Sequence, residues 1–392
     1  GLDTIEAWID ITSAPNLEVP HFGSRSTLRF TSTVPEVGID FLDAEVDEVV
    51  VNGHRQPVDH DGATVKVTGL RTDGLPNEVT IAGRARYTRN GQGLHRFSDP
   101  ADQQVFCYTQ YEPTDSRRVY AQFDQPDLKA RHTFHITAPE GWTVLSNQPE
   151  TSSEPAQAGV LHHFAETPML STYITAIMAG PYHGVTSEWT SADGSLTVPL
   201  GLWCRASRAE TMDADRLFEI TRAGLDWYHE NFGYPYPWGK YDQVFVPEYN
   251  LGAMENPGCV TFTEDYLFRS AATRAQYAGR SNTLQHEMAH MWFGDLVTPR
   301  WWDELWLKES FADFMGSWVN AHAAGFPEAW VTMAGRRLQW ALEQDELPTA
   351  HPVSADIPDV EAAKQNFDGI TYAKGGAALK QLVHHVGPDA FF

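Results

Sequence analysis

The sequence predicts an α+β protein with more than one domain, in which a β-rich first half precedes a mainly helical second half. Residues 1 to about 200 alternate apolar and polar side chains in short runs, which Gly, Pro, Asn and Asp interrupt. From about residue 200 onward, apolar residues recur mainly at helical spacing. The length of 392 residues suits two or three domains, and we place them at 1–200 and 201–392.

The first half contains short predicted strands joined by turn-forming residues. One of these turns is Asn52-Gly53, a pair typical of a tight hairpin. The segment 108–130 is dense in polar and aromatic residues, and such composition favours a solvated loop by default. The pattern predicts a mostly antiparallel β domain. Its strands are Thr4–Thr12, Ser26–Thr33, Asp47–Val51, Ala63–Val67, Glu78–Ala82, Thr133–Thr137, Gly159–Phe164 and Tyr173–Met178.

The second half is predicted to be helical beside a small sheet. Asp213 is suited to cap the first helix, and the Gly- and Pro-rich run that starts at Gly233 should end it. The small sheet would include Tyr241–Val246 and Val260–Phe262. The predicted helices are Asp213–Phe232, Arg280–Phe293, Glu304–Ala321, Pro327–Glu343 and Ala373–Val386.

Charge and composition exclude several classes of partner. The formal net charge of −24 argues against nucleic acid and anionic membrane surfaces. No apolar run is long enough to cross a membrane. The three cysteines are few, odd in number and far apart, so no disulfide framework is implied and a reducing, cytoplasmic compartment fits.

One short stretch carries the pattern of a metal site. His286 and His290 stand four apart, which places both imidazoles on one face of a helix, and Glu309 follows nineteen positions after His290. Two histidines and a carboxylate leave the fourth position of a tetrahedral zinc ion for water. Glu287 lies beside the ligands and is placed to take a proton from that water. The alternative is a His pair on a polar helix face.

Asp313 lies four residues after Glu309, so both side chains should face the same way. Histidines that bind zinc usually donate their other N–H to a carboxylate or a carbonyl. Asp313 is therefore a candidate acceptor for His286, and an ordinary surface aspartate is the equal alternative.

Together, these motifs and others along the chain resemble the aminopeptidase N family of zinc metallopeptidases, within the gluzincin clan. The similarity covers essentially the whole chain, and the motif sequences are most similar to those of bacterial, actinobacterial-type members. It is carried by the His286–His290 motif with Glu309, by 252–256, by 109–114 ahead of 123–130, and by Tyr372.

The resemblance implies an antiparallel β-sandwich or saddle domain followed by a thermolysin-like catalytic domain, and hydrolysis of the N-terminal bond of peptides. It implies one Zn²⁺ per chain, held by His286, His290 and Glu309, with Glu287 as general base and Tyr372 as donor to the oxyanion. Glu255 and Glu112 would bind the free α-amino group of the peptide. The other residues implied in substrate binding are Gln110, Leu251, Gly252, Ala253, Met254 and Asn256.

The implied roles agree with elementary chemistry. Two carboxylates around an ammonium would hold the N-terminus at a fixed distance from the metal, so that only the first peptide bond reaches the water. A tyrosine hydroxyl aimed at the oxyanion acts mainly in the transition state. Peptides with a free N-terminus are therefore the expected partners.

The chain departs from the family in two ways. Many members have Asn before the glutamate ligand, where this chain has Lys308. Members are also usually longer, so a C-terminal helical domain is expected in the full-length enzyme, and the catalytic domain is expected to be incomplete at Phe392.

Two other functions remain open on the sequence. A thermolysin-like endopeptidase would share the zinc signature but would need no amino-group anchor, against which Glu112 and Glu255 argue. A non-catalytic fragment or scaffold relative would keep the fold, although such a protein is expected to lose metal ligands or the base.

Overall fold

The structure is a computed structural model that describes all residues from Gly1 to Phe392, and it confirms the α+β class. Three sheets lie within the first half of the chain, and a fourth, whose strands span residues 182–263, adjoins the helices of the second half. The strands are β1 (Leu2–Asp10), β2 (His21–Phe30), β3 (Glu36–Asp40), β4 (Glu45–Val51), β5 (His54–Gln56), β6 (Thr64–Thr68), β7 (Asn77–Arg86), β8 (Gly93–Ser98), β9 (Val105–Gln110), β10 (Arg131–Ala138), β11 (Thr143–Ser146), β12 (Glu150–Ala156), β13 (Gly159–Phe164), β14 (Ile177–Gly180), β15 (Tyr182–Thr190), β16 (Thr197–Arg205), β17 (Tyr241–Val246), β18 (Ala253–Met254) and β19 (Cys259–Thr263).

Most of the helical structure follows residue 213, and no helix is long and apolar enough to cross a membrane. Two π-helical segments, Met333–Arg337 and Ile370–Lys374, run directly into the α-helices that follow them. The α-helices are α1 (Ala214–Phe232), α2 (Arg274–His290), α3 (Leu305–His322), α4 (Ala329–Thr332), α5 (Leu338–Asp345), α6 (Val360–Gln365), α7 (Gly375–Val386) and α8 (Pro388–Phe391).

The largest sheet has eight strands in the order β12-β13-β10-β1-β2-β7-β4-β5. Its strands run antiparallel except for β1 and β10, which are parallel. Alternation decides which face is buried, because successive side chains of a strand point to opposite faces. On β1, Ile5, Ala7 and Ile9 are buried in the core of the first half, while Glu6 and Trp8 face outward.

A second sheet, ordered β11-β14-β9-β8, positions the residue by which the first half reaches the candidate site, Glu112. Its strand β9 is buried throughout, and the chain continues from it into Glu112. Most of the segment 108–130 is likewise buried, so the prediction of a solvated loop is wrong. Its aromatic residues belong to cores, as Tyr111 and Tyr120 show.

The third sheet has the order β15-β16-β17-β19-β18 and mixes parallel and antiparallel pairs. The boundary drawn between residues 200 and 201 falls inside β16, which pairs along its length with β15. A domain boundary that keeps each sheet whole would therefore lie at Pro181, between β14 and β15. The two-domain division itself stays a prediction.

Most predicted elements are present with shifted ends. The hairpin turn at Asn52-Gly53 joins β4 to β5, and both residues have positive φ. The predicted strand from Tyr173 is instead a short 3-10 turn followed by β14. Asp213 precedes α1 but makes no side-chain cap. The helix α2 starts six residues earlier than predicted, because Thr273 and Gln276 form a capping box.

Helices α2 and α3 pack against each other and carry the metal motif between them. Helix α7 approaches α3 so closely that a Cβ on Gly375 would lie 1.9 Å from Ser310 Oγ. Ser310 Oγ also donates a hydrogen bond to the Thr371 carbonyl. These contacts fix the π-helical segment that carries Tyr372 against the metal motif.

Candidate metal centre

Three ligand atoms from α2 and α3 converge on one point. His286 Nε2 lies 3.1 Å from His290 Nε2, and Glu309 Oε2 lies 3.4 Å from each of them. Three ligands at about 2.0–2.1 Å from a tetrahedral ion are separated by roughly 3.3 Å. The triangle therefore has the size that a tetrahedral ion such as zinc requires. Glu309 Oε2 is buried and makes no hydrogen bond.

The ligands are held by neighbouring groups. His290 Nδ1 lies 3.0 Å from the Phe293 carbonyl, and donation of that N–H leaves the lone pair of Nε2 directed to the centre. The ring of Tyr372 lies parallel to that of His286, with centroids 6.1 Å apart. The second oxygen of Glu309, Oε1, accepts a hydrogen bond from Lys308 Nζ at 2.6 Å. The carboxylate is thus oriented to present a single oxygen.

Lys308 forms the centre of a buried ionic cluster. Its Nζ lies 2.5 Å from Glu112 Oε1 and 2.6 Å from both Glu255 Oε1 and Glu309 Oε1. All four side chains are almost completely buried, and Lys308 also packs over the ring of Tyr173. From the sequence alone, Lys308 is a departure from the family with no predicted role. A lysine beside a ligand glutamate was the available signal, but its other two partners, Glu112 and Glu255, lie on distant segments.

The cluster holds more carboxyl groups than basic side chains. Glu112, Glu255, Glu287 and Glu309 face a single lysine, and their environment shifts several pKa values. Burial raises the pKa of Glu112 to about 8. Burial lowers the pKa of His290, but the negative charges of Glu255 and Glu309 outweigh it and raise that pKa to about 10. Cations are therefore strongly favoured here, whether protons, ammonium groups or metal ions.

Glu287 lies next to the candidate centre with a free oxygen. Ligand atoms of Glu287, Glu255 and His290 lie within 4.8 Å of one another. Its Oε2 is buried and has no hydrogen-bond partner. Burial, together with the negative charge of Glu255, raises the pKa of Glu287 well above its ordinary value. Such a carboxylate binds a proton readily.

A cleft of about 1090 Å³ opens onto the cluster. Many of the predicted site residues line this cleft. They include the two predicted anchor carboxylates, the predicted base, Tyr372 and residues of the loop before β18. These lining residues are Glu112, Leu251, Gly252, Ala253, Glu255, His286, Glu287, Glu309, Asp313 and Tyr372. The structure thus brings together side chains that are up to 260 positions apart in the chain, from Glu112 to Tyr372.

Three predicted substrate-binding residues lie behind the cleft wall. Gln110 Nε2 donates to Met254 Sδ at 3.4 Å, and Gln110 Oε1 accepts from Tyr249. Asn256 Nδ2 donates to Thr261 Oγ1 at 3.2 Å. Gln110, Met254 and Asn256 are all buried and are not among the cleft-lining residues, so their direct contact with substrate stays a prediction.

Asp313 does not accept a hydrogen bond from His286. Its Oδ1 accepts one from Arg337 Nη2 at 2.5 Å, and its Oδ2 has no partner. Asp313 is only 2% exposed, so it is not a surface residue either. The expected hydrogen bond between His286 and Asp313 is absent because Asp313 pairs instead with Arg337, on the π-helical segment before α5. Sequence spacing on α3 could not indicate that neighbour.

Comparison with known protein families shows which family the chain belongs to. Residues 26–174 match the peptidase M1 N-terminal domain, and residues 216–392 match the peptidase family M1 domain. The chain belongs to peptidase family M1. The resemblance drawn from the motifs is therefore confirmed. Both matched regions of the M1 chain contribute to the cleft, since Glu112 lies in the first and the remaining cluster in the second.

Several curated proteins align with nearly the whole chain. Aminopeptidase N of Streptomyces lividans is 47% identical over 401 residues, which cover 100% of this chain and 45% of the relative. Leucyl aminopeptidase of Saccharolobus solfataricus is 31% identical over 359 residues, covering 91% of this chain and 44% of the relative. Tricorn protease-interacting factor F2 of Thermoplasma acidophilum is 29% identical, covering 94% and 46%. The chain spans about half the length of the curated relatives it matches.

Proposed function

We propose that the intact protein is a zinc-dependent aminopeptidase that removes N-terminal residues from peptides. One zinc ion per chain would be held by His286, His290 and Glu309. The observation that carries the proposal is the coincidence of two sites in one cleft. A triangle of ligand atoms with tetrahedral dimensions lies beside two carboxylates that already bind an ammonium group.

The amino-group anchor is the part that favours an exopeptidase. Glu112 and Glu255 each use Oε1 to contact the Lys308 ammonium, and both residues line the cleft. Their Oε2 atoms make no hydrogen bond within the protein, which leaves them for the α-ammonium of a peptide. A charge-assisted hydrogen bond in a buried site is strong, and an internal peptide bond has no ammonium to make one.

The chain's own residues supply the other steps of hydrolysis. When bound, zinc would polarise the scissile carbonyl and lower the pKa of water toward neutrality. Glu287, with its free buried oxygen, would take the proton from the attacking water and pass it to the leaving amine. Tyr372, which lines the cleft, would donate a hydrogen bond to the oxyanion. Lys308 would keep Glu309 oriented and hold the anchor carboxylates at a fixed separation.

The compartment is a proposal as well. All three cysteines are free and buried, which supports a reducing environment such as the cytoplasm.

Paired substrates test the exopeptidase proposal. We expect the intact protein to cleave an alanyl peptide and to leave its N-acetylated form uncleaved, because only the first offers an ammonium. Chelation should abolish activity, and zinc should restore it. Equal cleavage of both peptides would instead indicate an endopeptidase.

The base is tested by Glu287→Gln, with Glu361→Gln on the surface as the matched control. We expect kcat to fall by about 10²–10⁴-fold in the first variant and to stay unchanged in the second. Zinc content, measured by elemental analysis, should be the same in both. Full activity of Glu287→Gln would refute this role. A wild-type protein that binds zinc but cleaves neither peptide would indicate a scaffold.

A further inference from the structure

The outer face of the eight-stranded sheet carries a pair of histidines that the proposed hydrolysis does not use. His135 on β10 and His163 on β13 stand directly opposite each other in the antiparallel register. Both side chains share the outward face with Glu6 and Trp8 of β1. The apolar core of the first half lies on the other face of the sheet. This histidine pair is therefore separate from the cleft.

The two imidazoles face each other through the same nitrogen. His135 Nδ1 lies 2.7 Å from His163 Nδ1, and His135 Nε2 lies 3.0 Å from Glu6 Oε1. A carboxylate only accepts, so the proton of neutral His135 is on Nε2 and its Nδ1 carries a lone pair. His163 Nδ1–H then donates to that lone pair. The Nε2 of His163 faces Glu154 Oε1 at 3.8 Å.

We propose that His135 and His163 form a second metal site, which binds a divalent transition-metal ion through the two Nδ1 atoms and binds Cu²⁺ most tightly. To bind the ion, neutral His163 exchanges tautomer, so that its proton moves through solvent from Nδ1 to Nε2, on the side that faces Glu154. Two lone pairs then face one ion, and no proton is released overall. Each imidazole has a carboxylate on its far nitrogen, an arrangement that orients metal-binding histidines.

The separation of the nitrogens favours copper over zinc. Two ligands in adjacent positions of a tetragonal ion, at about 2.0 Å from it, lie roughly 2.8 Å apart, while two ligands of tetrahedral zinc lie roughly 3.3 Å apart. The observed 2.7 Å is close to the tetragonal separation, and the two rings would turn about their side-chain bonds to direct both lone pairs at the ion. Imidazole ligands suit Cu²⁺, and a given site binds Cu²⁺ more tightly than the other first-row divalent ions.

The pair is held in place before any ion binds. Trp8 stacks on the ring of His135 with centroids 4.0 Å apart and meets His163 edge-on at 6.0 Å. The side chains of His135 and His163 are 12% and 22% exposed, so an ion can reach them from solvent.

Copper titration of the intact protein tests the site by comparison of variants. The variants are His163→Gln and, as a matched control, His54→Gln, which removes an exposed histidine at the opposite edge of the same sheet. The cluster on α2 and α3 is unchanged in every protein and contributes equally. We expect wild type and His54→Gln to bind one more Cu²⁺ per chain than His163→Gln. The additional ion should show an electron paramagnetic resonance spectrum with two nitrogen ligands.

Two further measurements distinguish loss of the site from loss of the fold. Glu6→Gln keeps both imidazoles, and we expect it to weaken the additional Cu²⁺ by about tenfold or more. Bound Cu²⁺ should quench part of the tryptophan fluorescence in wild type, and Trp8→Phe should remove that part. Equal copper content in wild type and a folded His163→Gln would overturn the proposal, as would an additional ion with oxygen ligands only.

Discussion

Lys308→Met removes the ammonium at the centre of the buried cluster while keeping a side chain of similar length. Three carboxylates, those of Glu112, Glu255 and Glu309, then lose a partner that lies at 2.5–2.6 Å. Breaking one buried ion pair costs about 3–5 kcal/mol in the free energy of unfolding, because a charge is left buried without compensation. We expect the metal-free variant to lose about this amount at pH 8.

The loss should shrink as the pH falls. Lys308 lowers the pKa values of all three carboxyls, and in wild type those of Glu255 and Glu309 lie below their ordinary value. Without Lys308 the folded-state pKa values rise, so the charged carboxyls destabilise the variant most at high pH. In wild type the pKa of Glu112 is already raised to about 8 by burial. Protonation below that pH removes the uncompensated charge. The difference between variant and wild type is therefore smaller at pH 5 than at pH 8.

Urea unfolding with chelator present, monitored by circular dichroism at pH 5 and at pH 8, measures the loss in the free energy of unfolding and its change with pH. Lys364→Met is the matched control, because Lys364 pairs only with the exposed Glu361 at 2.9 Å. Such a surface pair is worth about 0–1 kcal/mol. A loss in Lys308→Met no larger than in this control, or one that does not change with pH, would refute the reasoning.

Three further predictions follow from named contacts. Tyr372→Phe should lower kcat by about 10²–10³-fold with little change in KM, because the hydroxyl acts on the oxyanion; steady-state kinetics with unchanged kcat would contradict this. Gly375→Ala should destabilise the protein by about 1–3 kcal/mol, since its Cβ would lie 1.9 Å from Ser310 Oγ. Gly335→Ala is the control because its Cβ meets nothing within 4 Å, and equal melting temperatures for the two variants would refute the close approach. Burial lowers the pKa of His132 to about 3, so unfolded chains bind the extra proton and stability is lost as the pH falls from about 6.5 toward that value. Between pH 6 and pH 4, wild type should lose about 1.4 kcal/mol per pH unit more than His132→Phe in urea unfolding, and parallel profiles would rule this out.

Local periodicity was enough to predict much of the fold. The strand Gly159–Phe164 and the strand Tyr241–Val246 have the predicted ends, because short runs that favour strands are bounded there by turn residues. The segment 108–130 shows where this reasoning fails. Its polar and aromatic residues suggested solvent, yet most of them are buried against strands far away in the sequence. Composition alone does not reveal such partners.

The metal motif was determined by the sequence itself. Helical spacing places His286 and His290 on one face, and the structure brings Glu309 to 3.4 Å from both. Family membership followed from the same motifs. What only the tertiary structure decided is the environment of that motif. Lys308 joins carboxylates from three segments, and Arg337 takes Asp313 away from His286. Such partners meet through packing of distant elements, which no spacing along one helix encodes.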